Sequence, residues 1–295
     1  MRILFSALLA AALAVPALAQ APKPLTPGAI LAAAPAADWQ AVDPNDLLVL
    51  EFGPARRVVI QLAATFAPVH VANIRALARA RYYDGLMIER VQDDYVTQLG
   101  DPSGKRPLPS GVVQPAPAEY ERALEGLRLD VLPYRDTYAG LVGFSAGWPV
   151  ASSGDRAWMT HCYGMVGVGR DLNPDTGTGA ELYAVIGHAP RALDRNIALV
   201  GRVLEGMEFL AALPRGPGEQ GFYEDPRMRV PIVRARIAAD MPAATRPEFE
   251  LLKTASPSYQ AWWKLKANRQ DDFFLRPAGA VDICNALPPL RKGRH

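Results

Sequence analysis

Few side chains in this sequence are spaced for chemistry. Gly143-Phe144-Ser145-Ala146-Gly147 spells G-x-S-x-G, the turn that presents a nucleophilic serine, and Asp155 or Asp171 with His188 would supply the other triad members in order. Acyl transfer from such a turn needs a strand before the serine and a helix directly after it. Trp148-Pro149 followed by Ser152-Ser153-Gly154 is a poor helix start, and the chain lacks the regular βα alternation of a hydrolase sheet. A serine hydrolase using Ser145 is therefore the distant reading. His70, His161, His188 and His295 have no metal-ligand spacing. There is no Walker loop and no dinucleotide fingerprint, so neither a metal nor a cofactor is expected. What remains is Arg90, with Tyr95 and Gln98 close behind it. A guanidinium there can donate hydrogen bonds to a substrate; the plainer alternative is a strand arginine in a structural ion pair.

The elements that must position these residues can be read in outline. With 295 residues, 49% apolar and 21% charged, the chain can bury one sizeable core with extensions, or two small domains. A net charge of only +2 gives no basic patch for nucleic acid. Arg2, the apolar run Ile3 to Val15 and Ala17-Leu18-Ala19 have the pattern of a secretory signal over 1–19. No stretch reaches the ~20 apolar residues of a membrane span, so export, with the periplasm as destination, is expected. In an oxidising compartment Cys162 and Cys284 are expected to form a disulfide, against the alternative of two unrelated buried thiols.

Residues 20–45 are rich in Ala and Pro and read as a flexible lead-in. Leu47 to Phe52 and Arg57 to Leu62, joined through Gly53-Pro54, predict a hairpin. Val71, Ile74, Leu77 and Ala78 after Pro68 predict an amphipathic helix over 68–81. Strands are expected at 87–98, 165–168, 182–186 and 230–238, and a second helix at 205–213. Prolines break up 102–160, which reads as loops with a short helix near 117–126. Beyond 240 the aromatics Phe249, Tyr259, Trp262 and Trp263 suggest one or two short helices packed on the main domain, and 291–295 reads as a solvated basic end.

Two stretches then carry a resemblance. Tyr83-Asp84-Gly85, Arg90-Val91, Tyr95 and Gln98-Leu99-Gly100-Asp101, with Leu193-Asp194 and Val200-Gly201-Arg202-Val203, resemble the two signature regions of cyclophilins. The resemblance covers 46–240, with an insertion at about 102–163 and a C-terminal extension at 241–295. It implies a mainly β fold with some α: a closed antiparallel β-barrel capped by two helices. The activity implied is peptidyl-prolyl cis-trans isomerisation. Arg90 matches the catalytic arginine, and Tyr95, Val96, Gln98, Val168, Gly169, Glu181, Tyr183, Leu193 and Ile197 match positions around the substrate proline. The second region departs from the family pattern. Glu181 stands for a glutamine and could pair with Arg90 or Arg170, Tyr183 for a phenylalanine, and Ala192 and Ile197 for larger or more polar residues. The implied partners are proline-containing unfolded or nascent exported polypeptides, and nothing in the sequence demands more than a monomer. The alternative is a cyclophilin-like binding module with little turnover.

Overall fold

The structure is a computed structural model that describes residues 25–54 and 56–293. The expected signal segment, 1–19, lies outside the described residues.

Nine antiparallel strands form the main sheet, in the spatial order Val230–Pro231, Met87–Val91, Val96–Gly100, Leu182–Val185, Met165–Val168, Leu199–Glu205, Arg57–Leu62, Leu47–Glu51 and Arg234–Ile237. The sheet curls around one apolar core. Its two edge strands are not paired with each other, so the ladder is a curled half-barrel and not the closed barrel expected. Closure fails at the level of pairing because a single short segment serves both edges. Its first part pairs with Met87–Val91 and its last with Leu47–Glu51, while between them Ile232 N–H donates to the Leu86 carbonyl and Val233 N–H to that of Glu51.

The hairpin at 47–62 forms as predicted, and its residues divide between two faces. Leu48, Leu50, Val58, Ile60 and Leu62 point into the curl, while Leu47, Val49 and Val59 point out and are covered by Phe249 and Leu251. A strand buried on both faces reads as the unbroken run Leu-Leu-Val-Leu. The helix Pro68–Arg79 lays Val71, Ile74, Leu77 and Ala78 on the core, and the shorter Met207–Ala212 contributes Leu210. Glu119 caps the first helix, accepting from the backbone of Val69 and His70 at 2.9 Å each and facing His70 Nδ1 at 2.7 Å. Asn73, buried on the same helix, clasps Val113 N–H and the carbonyls of Val113 and Thr178.

The middle of the chain differs from the expected loops. It folds into a second antiparallel sheet, in the order Arg122–Ala123, Arg156–Met159, Trp148–Ser153, Leu141–Ser145 and Asp130–Val131. No helix forms at 117–126; the chain there is extended or turning, and Glu119 is spent on the helix cap. The G-x-S-x-G run is the hairpin turn of this sheet. Ala146 and Gly147 both take positive φ, 48° and 82°, and Ser145 pairs with Trp148, so a strand follows the serine where an elbow needs a helix. Ser145 is buried, and His188 is exposed on a loop.

The segment expected to be flexible carries the helix Pro27–Ala33 and the strand Trp39–Ala41. That strand pairs with Phe249–Leu252, which pairs in turn with Leu290–Lys292. Order comes from Ile30 and Trp39, which pack with Phe144, Trp158, Tyr259, Trp262 and Trp263 in a second apolar cluster. In the tail, Phe249–Leu252 is a strand and only Pro257–Ala267 is helical, started by Ser256, whose hydroxyl accepts from Tyr259 N–H at 3.1 Å. The basic end is also held: Arg291 lies 4.1 Å from the centre of the Trp39 ring and donates to Glu250 at 2.6 Å. Cys162 and Cys284 are disulfide-bonded across 122 residues of sequence. Among the described residues no helix is long and apolar enough to cross a membrane.

Candidate active site

A cleft of about 820 Å³ opens on the outer face of the main sheet. It brings together Arg90, Tyr95, Val96, Gln98, Val168, Gly169, Glu181, Tyr183, Leu193 and Ile197, all the candidate site residues read from the sequence apart from the disulfide. The strand period explains part of this. Val96 and Gln98 alternate with Thr97 and Leu99, which face the interior, where Thr97 Oγ1 donates to the Leu210 carbonyl. Opposite Gln98 the Arg90 strand carries a bulge between Ile88 and Arg90. A bulge sets two residues against one, so consecutive Glu89 and Arg90 both reach the cleft.

Arg90 is held on three sides. Nε donates to the Gln220 carbonyl at 2.8 Å, one terminal nitrogen donates to Gln98 Oε1 at 2.9 Å, and the other to Gln92 Oε1. The rings of Tyr95 and Phe222 lie 5.7 and 5.4 Å from the guanidinium carbon. Three of its five N–H donors are thereby used, leaving one on each terminal nitrogen for a substrate. Burial lowers its pKa from the usual arginine value, and the Tyr95 phenol acts in the opposite sense. A guanidinium nevertheless stays charged at neutral pH.

Gln98 carries the chain of contacts onward, its Nε2 donating to Glu181 Oε2 at 3.1 Å. Glu181 is thus engaged by Gln98, and not by Arg90 or Arg170 as its charge had suggested; Arg170 spends its donors on the carbonyls of Asn196 and Asp171. On the other wall, the Tyr183 hydroxyl meets His161 Nε2 at 2.9 Å, and His161 Nδ1 meets Asp194 Oδ1 at 2.9 Å. Asp194 also accepts from Arg191 at 2.5 Å, and Arg191 forks onto Asp136 at 2.9 and 3.0 Å. Burial alone would raise Asp194, but the hydrogen bonds and charges of His161 and Arg191 outweigh it and hold the carboxyl below its usual value. Burial pushes the Tyr183 phenol well up, so it stays protonated and neutral. Gly167 makes room for that ring: a Cβ there would sit 2.2 Å from the Tyr183 oxygen.

Glu89, Gln92, Gln220 and Phe222 were missed by sequence reasoning. Gln220 and Phe222 arrive from a loop more than a hundred residues away that touches Arg90 through an isolated bridge, and no local pattern marks it. Gln92 lay in view, two residues past Arg90.

A curled antiparallel sheet carrying a cleft built around a fixed arginine donor is the frame of the site. Residues 47–237 match the family described as cyclophilin type peptidyl-prolyl cis-trans isomerase/CLD, and the chain belongs to that family. A crystallised cyclophilin from Hirschia baltica is similar in structure, with a TM-score of 0.68 and 25% identity, covering 91% of this chain and 98% of that one. A Brucella suis protein bearing the name of a peptidyl-prolyl cis-trans isomerase is 24% identical over 201 residues, 68% of this chain and 86% of the relative. A Synechocystis protein named for the same activity in the thylakoid lumen is 24% identical over 160 residues, 51% of this chain but 39% of that longer protein.

Proposed function

We propose that the protein is a peptidyl-prolyl cis-trans isomerase acting on exported polypeptides, with Arg90 as the catalytic donor. The observation that carries this reading is a cleft-lining arginine tied by three protein acceptors with two donors left unspent. Amide resonance sets a barrier of about 18–20 kcal/mol to rotation about an X-Pro bond. An N–H aimed at the prolyl nitrogen favours the state in which resonance is broken and the nitrogen lone pair is free, so it binds the transition state better than the planar ground state. No covalent step and no proton transfer is needed. Tyr95, Val96, Val168 and Tyr183 give the prolyl ring apolar walls, and Gln98 holds the substrate backbone. Leu193 and Ile197 narrow the far side, and Gly169 lets the chain pass close to the sheet.

Export to the periplasm is supported by the signal-like start of the sequence, by the disulfide and by the lumenal name of one relative. The test is a protease-coupled assay on an Ala-Pro-Phe peptide. Unaltered protein should accelerate the exchange, and Arg90→Ala should lose about 10²–10³-fold in kcat/KM. Equal, uncatalysed rates for both would leave the second reading, a binding module with little turnover, which the altered Glu181 and Ile197 favour.

A further inference from the structure

The end of the cleft beyond Gln98 holds more negative charge than isomerisation requires. Glu89 is only 8% exposed, yet its carboxylate makes no hydrogen bond or ion pair among the described residues. It lies over Gly100, where a Cβ would be 2.6 Å from Glu89 Oε1 and 2.9 Å from Glu181 Cγ, so the two glutamates pack side by side over the same bare backbone and both line the cleft. Asp101, Asp171 and Asp175 line the same end. Arg90 and Arg170 are occupied as described; Arg229 donates to the Tyr223 carbonyl, and its charge acts on Glu89 without an ion pair between them, so Glu181 is left with only the Gln98 amide. Two like charges side by side in a partly dry cleft repel, and the repulsion is relieved by a proton on one of them or by a cation that takes the proton's place. No group of three or more His, Cys, Asp or Glu among the described residues is arranged to hold a metal ion, and a basic side chain of a bound peptide is a cation that two carboxylates suffice to hold.

Resting on the isomerase reading above, we propose that Glu89 and Glu181 form a subsite for a basic side chain, selecting substrates that carry Lys or Arg within two residues of the proline. Spacing sets the two-residue limit. Glu181 is two hydrogen bonds and one side-chain amide away from Arg90, on the order of 8 Å, which is the reach of two to three extended residues. Gly100 is what lets both side chains lie this close to the sheet, and any larger residue there would collide with the two of them.

The experiment uses peptides sharing one Ala-Pro core with Lys, Ala or Glu placed one or two residues from the proline. Binding is read by fluorescence anisotropy and turnover by exchange NMR. The Lys peptide should bind about tenfold tighter than the Ala peptide and the Glu peptide more weakly still, with the spread shrinking as salt is raised. In Glu89→Gln/Glu181→Gln the Lys-to-Glu ratio should fall towards one. Equal binding of the Lys and Glu peptides by the unaltered protein overturns the subsite, and this arm needs no variant to fold. Preferential binding of the Lys peptide without accelerated exchange of any peptide overturns the isomerase reading and leaves the subsite standing. Exchange accelerated equally across the set does the reverse.

Discussion

At the scale of single residues, neighbouring Glu89 and Arg90 occupy the same cleft for opposite reasons. Arg90 is wrapped in acceptors; the Glu89 carboxylate meets no donor among the described residues. Burial first, and then the charge of Glu181 with a smaller push from Asp101, raises Glu89 to about 7, with Arg229 pulling the other way. The folded protein therefore keeps a proton that the unfolded chain releases near 4.5. Stability from this group is complete below the unfolded value, is lost as pH rises between the two, and levels off above about 7. Glu89→Gln should remove that slope, making the variant more stable at pH 8 by on the order of 1–3 kcal/mol and little different at pH 4. Urea midpoints across that range check this, and parallel profiles for the two proteins would refute it. Gly167→Ala should also be costly, because the new methyl collides with the Tyr183 phenol. A rise in KM of about tenfold is expected as the ring is displaced, measured on the same peptides. Arg90, Tyr95 and Gln98 were legible in the sequence because their intervals survive; Glu89 was not, because a bulge turns an inward position outward without leaving a mark in composition.

At the scale of elements, legibility followed the number of buried faces. The helix at Pro68–Arg79 has one apolar stripe, and its period showed it. The sheet between 122 and 159 was read as loops for a physical reason. Trp148–Ser153 is buried on both faces for most of its length and holds Pro149 as its second residue, so neither alternation nor a clean apolar run appears. This sheet reaches the cleft through charge: Asp136 is clamped by Arg191, which holds Asp194, which holds His161 against Tyr183. Asp194→Asn would strip one of two counter-charges from Arg191 inside the protein and leave only its fork onto Asp136. A loss of about 1.5–3 kcal/mol, the worth of hydrogen bonds to a charged group, is expected from denaturant unfolding. A variant of unchanged stability would mean that Asp136 alone satisfies the arginine.

Across the described residues, three sheets are tied by three apolar clusters and one covalent link. Residues around Cys162, including Trp148, Val150 and Met159, pack with Phe66, Met165 and Leu199 of the main body. The disulfide then fastens the tail to that junction. Replacing both cysteines, Cys162→Ser with Cys284→Ser, should cost about 4–5 kcal/mol by loop-closure entropy for a bridge spanning 122 residues. The cost should show as a lower urea midpoint and earlier proteolysis after 240, with Arg90 and its acceptors intact. The outward face of the 47–62 hairpin has a further consequence for how the protein is made. Leu47, Val49 and Val59 are covered by Val42 from before the sheet, but mostly by residues that follow it, Ala238, Met241, Phe249 and Leu251. During synthesis, therefore, the half-barrel emerges with a sticky stripe largely bare, and it must be kept from neighbouring chains until Phe249 and Leu251 arrive to cover it.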